Sequence, residues 1–276
     1  MTDLKEIVKR LEELAPKELT IPGFESRVEI GPMTETEQSK TTINRVLVAT
    51  YLSGRVVTKA SQDKANLVLV HQPMFRKPID SISGGHLTRI RILAKNYIST
   101  YVVGSPWIGA KGGLVDTLVD TIGLKPANDF LISGKYADLV PAGRICKTPT
   151  VMNYSRFGNL LMSKLEIDSL QFTGELDDEA ERILVCSGAT LDSNALIRAK
   201  EYDVSAIVTG NLDSEVRFAA YEKGMNVFEL GTFVTENPGM KRLRHQLSLE
   251  FPSLKIEYAE SEPITKTLKS YSESMA

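Results

Sequence analysis

Leu67-Val68-Leu69-Val70-His71-Gln72-Pro73-Met74-Phe75 is the stretch on which the reading of this chain turns. Four branched apolar residues make a buried strand. A histidine, an amide and a proline then end it at one point. In open α/β sheets ligands sit just beyond the carboxyl ends of strands, so a polar cluster there is where chemistry is expected.

Working outward, the segment belongs to a strand–helix–strand unit. Arg45 to Ala49 reads as a strand, about Gly54 to Gln62 as a helix, and Ala65 to Val70 as the second strand. A helix from Leu87 to Asn96 and a strand from Ile98 to Val103 follow. The layout recurs further on: strand Arg182 to Cys186, helix Ser193 to Tyr202, strand Val204 to Val208, helix Glu215 to Lys223, strand Asn226 to Leu230. Strand, helix and strand at this spacing imply parallel crossovers. His71, Gly104, Gly210 and Gly231 then mark strand ends. The expected fold class is α/β: two units of similar topology with mainly parallel sheets and a ligand cleft between them.

Leu4, Ile7, Val8, Leu11 and Leu14 follow helical spacing, with Asp3 and Glu6 as a capping box and Pro16 as the stop. Residues 31–40 read as a loop. About Asn128 to Asp178 looks less regular, with a helix near Tyr154 to Leu165, and the polar tail after Glu260 (Pro263, Ser270, Ser272, Ser274) as frayed.

The 276 residues are 42% hydrophobic and 25% charged, enough for a full globular core. A net charge of -2 and a pI near 6.0 argue against nucleic-acid binding. Lys241, Arg242, Arg244 and His245 read as a solvated helix face. No apolar run approaches a membrane span. Cys146 and Cys186 are the 2 cysteines. They form no redox or metal motif and read as apolar fillers in a reducing, cytoplasmic protein. With 3 histidines in the chain, any metal site must be poor in nitrogen and sulfur ligands.

Several ordered segments resemble the NIF-three-like family, the GTP cyclohydrolase I type 2 homologues, from the amino-terminal helix to about Tyr258. They are His71-Gln72-Pro73-Met74-Phe75, Gly112-Gly113-Leu114-Val115-Asp116, Cys186-Ser187-Gly188-Ala189, Thr209-Gly210-Asn211-Leu212 and Gly231-Thr232-Phe233-Val234-Thr235-Glu236. The resemblance implies a two-metal site between the halves, a hydrolase or cyclohydrolase label, and a ring-shaped hexamer. Carried over by position, the first histidine of the family's pair is His71 and the second is Gln72. The aspartate falls near Trp107 or Ile108, the last motif's histidine is Thr232, and its glutamate is Glu236. An acidic residue after the first strand is replaced around Tyr51. Two of the five ligands remain, so the expected metal ligands are His71 and Glu236.

Gln72, Arg76, Trp107, Glu215 and Thr232 are the other cleft candidates. Arg76 and Lys77 could neutralise a phosphate, and Gly112-Gly113 could offer backbone donors to an anion. Trp107 could fill the vacated pocket, stack on a ring or bury an interface. Glu236 also reads as preceding a helix that starts at Asn237-Pro238. His71 admits a ligand, a catalytic or a hydrogen-bonding role, and His86 reads as a loop residue.

The expected cofactor is at most one divalent ion per subunit (zinc, manganese or iron), or none. The expected partners are further copies of the chain in a homo-oligomer, on the family pattern a hexamer, and a phosphorylated small molecule. Residues 1–125, joined in space by about 211–276, should form one unit, and 126–210 the second. The expected function is a binding or assembly protein with a reduced or lost dinuclear site; the alternative is a metal-dependent hydrolase of a nucleotide or phosphorylated small molecule.

Overall fold

The computed structural model describes residues 2–148, 150–188 and 190–261. The polar tail, from residue 262 on, lies outside them. The chain begins with α1 (Leu4–Leu14), β1 (Arg27–Ile30), the single turn α2 (Glu35–Gln38), β2 (Arg45–Tyr51), α3 (Gly54–Gln62), β3 (Leu67–Gln72), α4 (Gly84–Lys95) and β4 (Ser99–Val102). It continues through the short α5 (Pro106–Gly109), α6 (Leu114–Ile122), β5 (Lys125–Ser133), β6 (Leu139–Lys147), α7 (Tyr154–Leu165) and β7 (Gln171–Thr173). Last come β8 (Arg182–Cys186), α8 (Ser193–Glu201), β9 (Ala206–Thr209), α9 (Ser214–Glu222), β10 (Asn226–Glu229), α10 (Thr232–Glu250) and β11 (Lys255–Tyr258).

Two sheets result, in the orders β1-β4-β3-β2-β11 and β5-β6-β8-β9-β10-β7. The pairs among β4, β3, β2 and β11 are parallel, as are those among β8, β9 and β10. Antiparallel strands lie at the edges: β1 on β4, β7 on β10, and the β5–β6 hairpin on β8. The stretch read as irregular therefore holds a long hairpin. Its sequence hides it, because β5 is mostly exposed and lacks an apolar alternation. Residues 31–40 hold the α2 turn, closed by a capping box between Thr34 and Glu37. The second sheet runs on through β10, so it extends past residue 210; the chain returns to the first sheet only at β11.

Alternation along the strands builds the layers, because successive side chains face opposite sides of a sheet. Leu47 and Ala49 of β2, with Val68 and Val70 of β3, pack on α3 and α4. Val46, Val48, Leu67 and Leu69 face the other way. In the second sheet Leu184, Ile207 and Val227 pack on α8 and α9, whereas Ile183, Val185, Val208 and Phe228 face inward. One core joins both inner faces and is filled by α1, α6, α7 and α10. α1 carries the expected capping box: the Asp3 carboxyl accepts from the Glu6 amide at 2.9 Å, and the Glu6 carboxyl from the Asp3 amide at 3.1 Å.

α10 packs closely on α6. A Cβ at Gly239 would lie 2.7 Å from the Leu114 Cα, so only glycine lets the two backbones approach this far. α10 begins at Thr232, not at Asn237-Pro238 as the proline implied. Pro238 sits inside the helix, where it removes the amide bond to the Val234 carbonyl. Glu236 is therefore a second-turn residue, held by tertiary contacts rather than by position at a helix start.

Candidate functional site

The carboxyl ends of β3 and β8 meet the first two turns of α10. His71 and Gln72 are the last two residues of β3, not residues beyond it. They and Glu236 are 0%, 4% and 1% exposed. The Gln72 Nε2 donates to Glu236 Oε1 at 2.6 Å and lies 3.3 Å from the His71 Nδ1. The same Nδ1 is 2.9 Å from Glu236 Oε2. That approach is not aligned as a hydrogen bond, and Oε2 has no hydrogen-bond partner among the described residues. Arg76, itself exposed, closes the cluster from outside by donating to Gln72 Oε1.

The second sheet supplies the floor. Gly188, just after β8, has φ +63°, and a Cβ there would lie 2.6 Å from Glu236 Oε1. The Gly188 amide donates to the Thr235 hydroxyl at 3.0 Å, while its carbonyl accepts from Gly210 and Asn211. From the loop before β1, the Phe24 ring covers His71 with centroids 4.9 Å apart. Glu29 on β1 latches the following loop by accepting from the Met74 amide at 2.9 Å and the Phe75 amide at 3.3 Å.

Burial of polar groups costs free energy unless they are paired, and native interiors leave few unpaired. Among the described residues, three buried side-chain atoms in these segments have no hydrogen-bond partner: His71 Nε2, Glu236 Oε2 and Ser187 Oγ. Among the described residues, no group of three or more His, Cys, Asp or Glu side chains is arranged to hold a metal ion.

The other candidates fall elsewhere. Trp107 is on α5, 1% exposed, in the core shared by the two sheets. Its indole N–H donates to the Gly239 carbonyl at 3.3 Å. It therefore fills the interior between α5 and α10 and offers no ring to a cleft ligand. Glu215 is exposed on the first turn of α9 and, among the described residues, bonds to none of His71, Gln72 or Glu236. The Thr232 amide and hydroxyl both donate to Asn211 Oδ1, at 2.9 and 2.7 Å. His86 lies within α4, where its Nδ1 is 2.8 Å from an Arg89 Nη2. Both cysteines are buried. Burial pushes the Cys146 thiol up to about 12 and Cys186 higher still, so neither is a nucleophile at neutral pH.

Sequence reasoning did not find Phe24 or Glu29 as parts of this site, and it placed Gly188 in a motif without giving it a role. Glu29 and Phe24 lie in a segment with no periodic signal. Only the pairing of β1 on β4 brings them beside the loop after β3.

The fold and this buried junction define a two-sheet α/β protein with a polar site where strand ends of both sheets converge on one helix. A family model for Duf34/NIF3 (NGG1p interacting factor 3) matches residues 2–266, and the chain belongs to that family. It is 30% identical over 239 residues to a GTP cyclohydrolase 1 type 2 homolog of Clostridium perfringens, covering 85% of this chain and 87% of the relative. A Methanocaldococcus jannaschii protein with the same description is 23% identical over 244 residues, covering 88% and 94%. In structure the chain is similar to a Bacillus cereus protein related to NIF3, with TM-score 0.79 and 18% identity over 98% of this chain and 99% of that one. Reduced HcgD from M. jannaschii matches with TM-score 0.77 and 23% identity, covering 93% and 97%.

Proposed function

We propose that this chain is a divergent NIF3-family protein in which a hydrogen-bonded polar cluster takes the place of a two-metal centre, and that it acts as an oligomeric binding or assembly protein. The observation that carries this reading is the Gln72 amide donating to Glu236 Oε1 at 2.6 Å. A pair of dications needs several anionic or imidazole donors and a bridging group to replace water and to offset their mutual repulsion. His71 and Glu236 do not meet that need, and one carboxyl oxygen is already engaged by an amide N–H, which occupies the place a cation would take.

His71 Nε2 and Glu236 Oε2, which have no hydrogen-bond partner among the described residues, support a lesser variant of the same reading, with at most one zinc, manganese or iron ion per subunit. With one ion the site would approach the family's hydrolase label, and that is the second reading. The homo-oligomer, on the family pattern a hexameric ring, and a cytoplasmic setting complete the proposal. No helix among the described residues is long and apolar enough to cross a membrane.

Metal content per subunit, measured by mass spectrometry before and after incubation with zinc, manganese and iron, tests the first part. Two ions per subunit would overturn it. Light scattering tests the second, since a monomer at micromolar concentration would end the assembly reading. Turnover of nucleotides or phosphoesters would move the weight to the hydrolase.

A further inference from the structure

We propose that the cavity beside the cluster, at the carboxyl ends of β2 and β3, binds a small molecule of the mononucleotide class: a flat unsaturated ring carrying one anionic group. The inference rests on the preceding reading only in taking the site as metal-free, and it names the ligand for that reading.

The cavity measures about 510 Å³ and is lined by Tyr51, Met74, Arg89, Asn211, Thr232 and Phe233, among others. That volume lies in the range of sites that enclose small ligands, roughly 300–1,000 Å³. Both sheets contribute, so the pocket exists only in the assembled fold.

Charge selects the anion. Among the described residues lining the cavity, Arg89 is the one that carries a charge and none is a carboxylate. Its Nε is buried without a hydrogen-bond partner among the described residues. A guanidinium at a cavity wall whose Nη2 lies 2.8 Å from the His86 ring, and which has no carboxylate partner among the described residues, favours a phosphate or carboxylate. Two helices start at the same cavity. In α3 the Ser53 hydroxyl and carbonyl engage the Val56 and Val57 amides, which leaves those of Gly54 and Arg55 outside the helix's own bonds. In α10, Asn211 Oδ1 takes the Thr232 amide and the Gly231 carbonyl takes that of Thr235, which leaves Phe233 and Val234. Amino-terminal amides and the helix dipoles reinforce the preference for negative charge.

The ring preference comes from two aromatic residues of the lining. The Tyr51 and Phe233 rings lie 21° from parallel, with centroids 6.4 Å apart. A flat ring extends such a stack, and stacking on aromatic side chains is tolerant of which base is offered. Met74 adds a polarizable, adaptable surface. A free phosphate would use Arg89 and the helix starts but not the rings, so the pocket should prefer the compound that carries both groups.

Calorimetric titration of the full chain, kept in chelator, against the four common ribonucleoside 5′-monophosphates, the matching nucleosides and inorganic phosphate tests the proposal. The monophosphates should bind more tightly than either fragment. Arg89→Gln should weaken monophosphate binding by roughly 10-fold or more, the loss of one charge-assisted hydrogen bond, and leave nucleoside binding unchanged. Phe233→Leu should weaken monophosphate and nucleoside together, and Arg89→Lys should restore part of the loss. Thermal melts of each variant verify folding. No monophosphate binding at millimolar concentration, or binding indifferent to both substitutions, overturns the proposal. Binding that appears only after metal is added and ignores Arg89→Gln overturns it too. Two ions per subunit, measured on the same preparation before chelator is added, would refute the metal-free reading, while Arg89-dependent binding in chelator would still support the pocket.

Discussion

Replacing Gln72 by leucine removes the amide that donates to Glu236 Oε1 at 2.6 Å, with little change in volume, so the cavity term stays small. Both side chains are buried, and water cannot take over as donor. A buried acceptor deprived of its partner costs about 1–3 kcal/mol, with the upper end expected for a carboxyl group. The contact from exposed Arg76 adds under ~1 kcal/mol. The expected loss is therefore about 2–3 kcal/mol, which at roughly 2–3 °C per kcal/mol for a chain of this size lowers Tm by about 4–9 °C. The decisive assay is a double-mutant cycle. Urea unfolding followed by circular dichroism would compare the wild type, Gln72→Leu, Glu236→Met and the double variant. Once Glu236 is methionine, Gln72→Leu gives up only its contacts with His71 Nδ1 and the exposed Arg76 and should cost about 1 kcal/mol, so a coupling of at least about 1 kcal/mol is expected. Costs that add within ~0.5 kcal/mol would refute the claim that these two side chains form one energetic unit.

Three other outcomes follow from single features of the fold. Gly188→Ala should destabilise more than Gly224→Ala: both glycines have positive φ and share a backbone penalty of roughly 1–2 kcal/mol, but only at Gly188 does the new Cβ strike Glu236, whereas at Gly224 it meets nothing within 4 Å. Equal urea midpoints for the two variants would contradict the close approach described above. The hydrogen bond from Arg45 holds the Glu257 carboxyl below its ordinary range and ties β11 to β2. Because the folded value lies below the unfolded one, this contribution is complete above the ordinary value of 4.5 and disappears as pH falls through the folded value. Glu257→Gln should accordingly cost under ~1 kcal/mol at neutral pH, given its partial exposure, and nothing measurable in strong acid; a cost independent of pH would exclude the ion pair as its source. Finally, a thiol reagent at mildly alkaline pH should label neither Cys146 nor Cys186 in the native protein and both after denaturation, since burial shields them and raises their pKa values. Rapid native labelling would show that the core around β6 and β8 opens.

Much of the scaffold was legible in the order of residues. β8 at Arg182–Cys186, α3 at Gly54–Gln62 and α7 at Tyr154–Leu165 lie where apolar periodicity and caps placed them. These elements are two-sided, buried against a sheet or a helix, so the hydrophobic pattern reports them directly. The β5–β6 hairpin escaped because an exposed edge strand need not alternate. The start of α10 escaped because Pro238 is a strong local stop that interhelical packing overrides.

The candidate site divides in the same way. The sequence by itself determined that His71 and Gln72 stand at a strand end, and that they and Glu236 have too few ligand-type neighbours in their motifs, since residue identity is local. Only the tertiary structure decided that Gln72 faces Glu236 across 164 positions of chain, that Trp107 is interior filling, and that Arg89, Tyr51 and Phe233 share a cavity. These are juxtapositions between segments on different sheets. They depend on how α6 and α10 seat between the sheets, and no periodicity along one segment encodes that geometry.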